Sequence, residues 1–411
     1  MKVHVYGNTL NSAYHITKEL RRQGVNAEMF LDNYSPSAQD YPWWDDKEVS
    51  EDNLPAWIHY YRTFPFFLLP NQLTKSMITD FGKCDVALVS CYGPMLAMKA
   101  NVKFVFYSLG SDLNMISIKE ELMSVWYNSY TIKEKVKKLI KVITLVPLQR
   151  KAIIKYSSKV IVYMGYQVNA YIKRNNIQHK TVLLTYPKDI VNYGQKNDDE
   201  LMLKYKKYKY VFFMISRHSW KSIWDDPKGN DKFIRSFAQF VKTNQDVLLI
   251  MSEKGVNFKD SKELVESLGI FKNVEWVKDM PKYKLETYQT LPNIVIVDNF
   301  WDDEWYKRYD LDYPEPRVGF GFGCIESLAA KSLLMTAFKD QQFYNNEMPP
   351  IFYAFTEDEI QKRLNEIYTM PQELIQEKKK KGHDFVMKWH DQRIILKKHI
   401  ELLNEIYSAG I

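Results

Sequence analysis

Residues 317–332, RVGFGFGCIESLAAKS, have glycines at alternate positions before a segment with the pattern of a helix. Glycines such as Gly319 and Gly321 let backbone N–H groups approach a ligand, and a helix start favours anions. The spacing is not the G-x-G-x-x-G of dinucleotide sites, and it comes late in the chain. The segment is either an anion-binding turn or a tight packing turn. Glu326 is either a partner of the helix dipole or a ligand for two ribose hydroxyls.

Two cations flank another strand-to-helix junction, in the segment MISRHSWKSIWDDPKGNDKFI. Arg217 follows a predicted strand, and Lys228 with Gly229 precedes a predicted helix. An Arg guanidinium and a Lys amine at one junction can neutralise a diphosphate. The other interpretation is a solvated basic loop. A third polar segment, VDNF at 297–300, ends the strand before the glycine turn.

The elements that must position these residues follow from an alternation of short apolar runs with amphipathic helical patterns. This alternation predicts an α/β protein with parallel, doubly wound sheets. The runs KVHVYG, VNAEMF, CDVALVS, VKFVFYS and KVIVYM predict one sheet, and YVFFMIS, DVLLIMS, NVEWVK and NIVIVD predict a second. TVLLTYPKDIVNYGQKNDDE, with Pro187, predicts a linker between them. HDFVMKWHDQRIILKKHIELLNEIY predicts one long amphipathic helix at the C-terminal end.

Bulk properties agree with an ordered, two-domain protein. The chain has 411 residues, of which 45% are hydrophobic and 26% charged. Its net charge of +7 suits anionic ligands or an anionic surface and is too small for a nucleic-acid footprint. The three cysteines show no C-x-x-C spacing, so we expect reduced thiols and no zinc site. No apolar run reaches membrane-spanning length and no signal peptide is recognised, so we expect a cytoplasmic protein.

The segments SRHSW, KGND, VDNF and GFGFGCIESLAAKSLL together resemble the retaining GT-B glycosyltransferases of the glycosyl transferases group 1 (GT4-like) family. That family has an Arg and a Lys-Gly after the first strand of its C-terminal domain, and a Glu-x7-Glu motif. Glu326 matches the second Glu, whereas Val318 stands at the position of the first. FVFYSLGSDL resembles a family strand ending in His-Gly-Ser-Asp, with Leu109 in place of the His.

The resemblance implies the GT-B fold, in which two Rossmann-like domains face a central cleft. It implies an N-terminal acceptor-binding domain at 1–190, a C-terminal nucleotide-sugar-binding domain at 191–385, and a helix at 386–411 that packs back on the first domain. The implied activity is hexosyl or related transfer from a nucleotide-diphosphate sugar to a glycan or lipid-linked acceptor. We expect this transfer to be retaining, to need no metal or cofactor, and to serve cell-surface polysaccharide or glycoconjugate synthesis.

Carried over residue by residue, the resemblance assigns the donor site. Arg217 and Lys228 would neutralise the diphosphate as it leaves, where charge develops in the transition state. Backbone amides around Gly319 and Gly321 would add dipoles to the same phosphate. Glu326 would bind the ribose.

Two more residues of the first domain complete the predicted site. Gly7, in the turn YGN, either lets the backbone approach the phosphates or makes a plain tight turn. Asp112, in the segment GSD, is either a general base or sugar-orienting residue, or the N-cap of the next helix.

Other functions stay open. Val318 and Leu109 suggest a catalytically silent GT-B scaffold in a glycan-assembly complex, and a sugar-nucleotide epimerase of the same fold is a further rival. Asp310 and Asp312 form a D-x-D that imitates a metal site, although they lie in a segment before the glycine turn.

Residues 131–158 are rich in Lys and Arg, with Glu134 as the single acid, and Ile, Leu and Val lie between them. This pattern predicts either an interfacial helix attracted to anionic lipid on the inner face of the cell membrane, or a packed helix with a solvated basic face. Upstream, PWWDD and LPAWIHYYRTFPFFLLP concentrate aromatic residues. These belong to the core, to a sugar-stacking acceptor groove or to a membrane interface.

Overall fold

The computed structural model describes most of the chain. The described residues are 1–33, 38–62, 72–109, 122, 125, 131–163, 172–173, 175–221, 227–300, 320–338 and 341–409.

The first sheet contains seven parallel strands in the order β3-β2-β1-β4-β5-β6-β7. They are β1 (Lys2–Tyr6), β2 (Asn26–Asp32), β3 (Ile58–Tyr61), β4 (Val86–Val89), β5 (Phe104–Tyr107), β6 (Lys159–Val162) and β7 (Thr181–Leu183). The strand β1 pairs with β2 on one side and β4 on the other, so the strand order reverses there. Such a reversal opens a crevice at the carboxyl ends of the two strands.

The second sheet repeats the same plan with six parallel strands in the order β10-β9-β8-β11-β12-β13. They are β8 (Tyr210–Met214), β9 (Val247–Ser252), β10 (Val274–Val277), β11 (Ile294–Val297), β12 (Leu333–Thr336) and β13 (Phe352–Tyr353). Here the order reverses between β8 and β11. The strands β8, β9, β11 and β12 are buried along their whole length, as strands covered by helices on both faces must be.

Helices connect the strands, and their bounds follow. They are α1 (Ser12–Arg22), α2 (Pro42–Asp45), α3 (Gln72–Phe81), α4 (Gly93–Lys99), α5 (Ile132–Lys151), α6 (Asp199–Tyr205), α7 (Asn230–Phe240), α8 (Phe258–Ser267), α9 (Lys282–Gln289), α10 (Phe322–Ala329), α11 (Glu357–Thr369), α12 (Gln372–His390) and α13 (Gln392–Ser408).

The second sheet illustrates how sequence becomes packing. Phe233 and Phe237 lie four residues apart on α7 and are fully buried. Their rings contact Phe212 of β8 at centroid distances of 6.2 and 5.9 Å. A 3.6-residue apolar period on the helix thus meets a continuous apolar strand, and the two together exclude water from the sheet face.

The chain forms two compact units, divided between Lys188 and Asp189 and again between Asp391 and Gln392. The C-terminal α13 belongs to the first unit, where it packs on α1 and β4. Its His399 ring contacts Tyr107 of β5 at 6.3 Å. The single long C-terminal helix predicted from the sequence is wrong: the helix ends at His390, because Asp391 has a non-helical ψ of 114°.

One further sequence prediction needs correction, and one strand of the first sheet was missed. The predicted linker starts with a strand, because Thr181–Leu183 is β7 at the edge of the first sheet. The strand β3, with the sequence IHYY, was not predicted as a strand, since its aromatic residues do not alternate with polar ones. Among the helices that the structure describes, none has the length and apolar character needed to cross a membrane.

Candidate functional site

The candidate site of the second unit lies where β8 and β11 end side by side. Met214 and Val297 are register partners at the ends of these two strands. The chain continues from them into the segments that contain Arg217 and Asp298. Parallel sheets bind ligands at such a reversal, so both segments lie at the expected edge.

Backbone hydrogen bonds join three segments at this edge. The Lys228 N–H donates to the Ser219 carbonyl at 2.6 Å, and the Phe300 N–H donates to the Lys228 carbonyl at 2.9 Å. Lys228 is thereby fixed between the segment after β8 and the segment after β11. Its side chain and that of Arg217 are partly exposed. The backbone therefore fixes where the Lys228 side chain begins.

The residues next to Lys228 explain why this junction has a Gly and an Asn. Gly229 has a φ of 64°, and a Cβ there would lie 2.9 Å from the Phe300 carbonyl carbon. The buried Asn230 side chain accepts a hydrogen bond from the Ser219 N–H at 3.0 Å. Glycine is favoured at 229 because only glycine fits the left-handed conformation at so close an approach. Asn is favoured at 230 because its amide oxygen accepts from the Ser219 N–H.

A buried carboxylate and a buried thiol link β11 to α10. The Cys324 thiol donates to Asp298 Oδ2 at 3.0 Å, and the Asn299 amide donates to the same oxygen at 3.1 Å. Burial raises the pKa of the Cys324 thiol well above its usual range, and the Asp298 charge raises it further, whereas the nearby Lys228 charge acts in the opposite direction. Cys324 therefore stays a thiol that donates to the carboxylate.

The two described glycines of the glycine turn, Gly321 and Gly323, have different surroundings. Gly321, with a φ of −70°, is the N-cap of α10, and a Cβ there would meet only Asp298 Oδ2 at an ordinary 3.5 Å. Gly323 lies in the first turn of α10, where a Cβ would collide with Ile215 at 2.6 Å. A Cβ at 323 would require the end of the Ile215 side chain to shift, whereas the described surroundings leave room for a Cβ at 321. Gly319 lies outside the described residues.

Glu326 is the fifth residue of α10 and only 3% exposed. Because it lies beyond the first turn, its interpretation as a simple partner of the helix dipole does not apply. Its Oε1 lies 3.7 Å from Lys282 Nζ, at the first residue of α9. Behind this ion pair the Gln289 side chain of α9 donates to Ser327 Oγ at 2.9 Å. These contacts hold α9 and α10 together, with the carboxylate and the amine at the same end of α9.

In the first unit, Gly7 follows β1 with a φ of 101°. A Cβ at this position would lie 2.6 Å from the Ser90 carbonyl oxygen, and the Ser90 hydroxyl donates to the Gly7 carbonyl at 2.8 Å. The fold therefore requires glycine here, as a tight turn would, and a role in phosphate approach stays a prediction.

Comparisons with known proteins test this arrangement at the level of the whole chain. No protein-family model matches the sequence, and no curated protein sequence matches it either. Solved structures do match. HepE from Anabaena, in complex with UDP-glucose, has a TM-score of 0.67 at 14% identity, over 98% of this chain and 100% of that one. The chain has the GT-B fold.

Two further GT-B structures agree over the same length. Sucrose-phosphate synthase from Thermosynechococcus elongatus has a TM-score of 0.63 at 13% identity and covers 100% of both chains. A glycosyltransferase from Rickettsia africae has a TM-score of 0.63 at 15% identity and covers 98% of each. At these identities the likeness concerns the fold, and function has to be argued from the site.

Several predicted residues lie outside the described part of the GT-B chain, namely Asp112, Gly319, Val318 and the pair Asp310 and Asp312. Within the described part, no group of three His, Cys, Asp or Glu side chains is arranged to hold a metal ion. The metal-free mechanism and the role of Asp112 stay predictions.

Sequence reasoning missed two residues of this site. Lys282 follows Pro281 at the start of α9 and lies far from Glu326 in sequence, so no spacing indicates that they pair. The sequence predicts a reduced thiol at Cys324 but no partner for it, whereas in the structure this thiol donates to Asp298. The one available signal was the position of VDNF at the end of a strand, which predicts a polar cluster there but not its partner.

Proposed function

We propose that the protein is a glycosyltransferase that uses a nucleotide-diphosphate sugar as donor and a glycan or lipid-linked acceptor. The observation that carries the proposal is the polar group at the β8–β11 reversal. Lys228 is fixed there by its backbone, Gly321 caps α10, and the buried Glu326 faces Lys282. A cation beside a helix start suits a diphosphate, and a carboxylate one turn further suits a ribose diol.

The fold supports this function by analogy. HepE was solved with UDP, with UDP and glucose, and with UDP-glucose. A nucleoside diphosphate is therefore the first ligand to test. We infer a transfer without a metal, because Lys228, Arg217 and the α10 amides would supply positive charge to a leaving diphosphate. We infer retention from the family resemblance alone.

A two-step experiment tests the proposal. The thermal stability of the full chain is measured with UDP, GDP, ADP, CMP and dTDP, because a ligand that binds the native state raises the unfolding temperature. The matching nucleotide sugars are then assayed for release of the nucleotide, without and with acceptor glycans. Stabilisation by one diphosphate followed by acceptor-stimulated release supports a transferase. Binding without any release supports a silent scaffold, and turnover to an isomer without acceptor supports an epimerase.

We also propose that α5 attaches the first unit to an anionic membrane surface. Val142 and Val146 of this helix are buried, whereas Ile132, Val136, Leu139, Ile140 and Ile143 are 41–82% exposed. Those five residues, here called the α5 stripe, share one side of the helix at spacings of three and four. A basic helix with an exposed apolar stripe suits an interface, where apolar side chains insert and cations meet lipid charge.

Co-sedimentation with vesicles tests the attachment. Exchanging Ile132 and Ile143 for Ser should weaken binding to anionic vesicles at least tenfold, because the loss of only two buried CH₂ equivalents at about 0.8 kcal/mol each already exceeds the roughly 1.4 kcal/mol of a tenfold change. Leu203→Ser in α6 is the matched control, because Leu203 is 62% exposed on another helix. Exchanging Lys135, Lys137, Lys138 and Lys141 for Gln should also weaken binding, mainly at low salt. Equal pelleting with neutral and anionic vesicles, or no pelleting with either, would refute the membrane proposal.

A further inference from the structure

A cluster of aromatic rings lies in the first unit, beside the ends of β2 and β3. The Tyr41 ring stacks on Trp43 with centroids 4.7 Å apart and planes inclined by 15°. Trp43 meets the Tyr60 ring edge-on at 6.0 Å and 65°. All three side chains are partly exposed. We call Tyr41, Trp43 and Tyr60 the aromatic platform.

The sheet register shows that the platform lies at the ligand-binding edge of the first sheet. β2 ends at Asp32, and Leu31 and Asp32 pair with Tyr60 and Tyr61 of β3. In parallel α/β sheets, ligands bind outside the carboxyl ends of the strands. Tyr60 is therefore among the last residues of its strand, on the edge where a substrate is expected.

The segment that contains Tyr41 and Trp43 is fastened to the turn after β1. The buried Asn11 side chain donates to the Tyr41 carbonyl at 2.9 Å and to Asp45 Oδ2 at 3.0 Å. The Asn8 side chain donates to the Asp40 carbonyl at 2.6 Å. These bonds orient the platform before any ligand arrives, which lowers the entropy cost of binding.

Charged side chains surround the platform. Burial raises the pKa of Tyr41 to about 12, and the nearby charges of Asp32, Asp40 and Glu51 act in the same direction. The Arg62 guanidinium lies over the Tyr60 ring, 5.9 Å from its centroid, and pairs with Glu51 at 3.0 Å. Among the described residues, the charged groups named here are three carboxylates and one guanidinium, an excess of negative charge.

This combination matches one class of ligand. A pyranose ring has a face of C–H groups that packs on aromatic rings, and hydroxyls around its edge that donate to carboxylates. An excess of carboxylates disfavours a negatively charged sugar, because like charges repel at short distance. We propose that the aromatic platform binds a neutral pyranose unit of the acceptor glycan. The identification of this sugar as the acceptor rests on the proposed transferase function, whereas the binding of a neutral pyranose does not.

A glycan array followed by titration tests the platform directly. The labelled full chain is applied to neutral and uronic-acid-containing oligosaccharides, and the dissociation constant of the best glycan is then measured by titration. We expect binding to neutral glycans, weakened about tenfold or more by Trp43→Ala, as when a central aromatic contact is removed. Trp43→Phe should retain part of the affinity, because it keeps a ring face.

The neighbouring Trp44→Ala is the matched control. Trp44 is also partly buried, lies on the same short helix α2, and is not the tryptophan that stacks with Tyr41. We expect native glycan affinity for this variant. A chain that binds no neutral glycan, prefers uronic acids, or binds equally well after Trp43→Ala would overturn the proposal. So would equal losses in the Trp43 and Trp44 variants.

Kinetics separate a failure of the platform from a failure of the proposed function. If the protein is a transferase, Trp43→Ala should raise the acceptor KM about tenfold and leave the donor KM and acceptor-free donor hydrolysis unchanged. An unchanged acceptor KM refutes the platform while the transferase stands. Trp43-dependent glycan binding in a protein that turns over no nucleotide sugar supports the platform and refutes the transferase.

Discussion

Replacing Glu326 by Gln tests the donor site at its most buried charge. The carboxylate is only 3% exposed, and Oε1 lies 3.7 Å from Lys282 Nζ. Gln keeps the shape and one acceptor oxygen but loses the charge that would hold two ribose hydroxyls. A charge-assisted hydrogen bond contributes about 1.5–3 kcal/mol, so we expect UDP to bind about tenfold to a hundredfold more weakly.

The same exchange should change folding stability little. Lys282 is partly exposed and can regain water when the ion pair is weakened, which limits the loss to about 1 kcal/mol. Glu286 of α9 is the matched control, because it is similarly buried but accepts from the Gly194 and Gln195 amides at 2.9 and 3.3 Å. Glu286→Gln should lower the free energy of unfolding by about 1 kcal/mol and leave UDP affinity unchanged.

Calorimetric titration with UDP and urea unfolding measure the two quantities separately. The ligand-induced stabilisation gives an independent check. At UDP equal to 100 times the native Kd it is about 2.7 kcal/mol, and it falls to about 0.9 kcal/mol when Kd rises thirtyfold. If Glu326→Gln binds UDP like the native protein but unfolds much more easily, Glu326 is a structural residue and the ribose assignment is refuted.

Arg217→Ala or Lys228→Ala should reduce turnover about a hundredfold or more, because the leaving diphosphate loses a positive partner, while circular dichroism stays native. Near-normal rates with an established donor would disprove the phosphate assignment. EDTA should leave activity largely intact in a steady-state assay, and strict dependence on added Mg²⁺ or Mn²⁺ would revive the pair Asp310 and Asp312 as metal ligands. Burial lowers the pKa of His390 from 6.5 to about 3. Between these values only the unfolded chain binds this proton, so this group should lower the free energy of unfolding by about 1.4 kcal/mol per pH unit as the pH falls. His390→Gln should flatten that slope in urea titrations at pH 7, 6 and 5, and an unchanged slope would contradict the buried neutral imidazole.

Much of the fold could be predicted from the sequence because it depends on local pattern. Continuous apolar runs such as those of β8 and β11 form strands buried on both faces, and the amphipathic helices between them require parallel pairing. Arg217 and Lys228 could be found for the same reason, since the junction of a strand and a helix is visible in the sequence. The predicted role of each residue still awaits its experiment.

Local pattern failed where distant parts of the chain decide the outcome. The C-terminal apolar period continues past Asp391, but the chain leaves the second unit there and α13 packs in the first. β3 has few polar residues to mark its alternation, and its pairing with β2 makes it a strand. An apolar period indicates that a residue is buried, but it does not identify the surface against which the residue packs.

The sequence by itself determined the two parallel sheets, the strand-to-helix junctions and the residue types available at them, because these follow from hydrophobic period and turn chemistry. Only the tertiary structure decided which side chains meet. It pairs Lys282 with Glu326, links Cys324 to Asp298, and packs Gly7 against Ser90. It also brings Trp43 against Tyr60. These contacts join residues far apart in the chain, and their formation depends on strand order and register, which no local period contains.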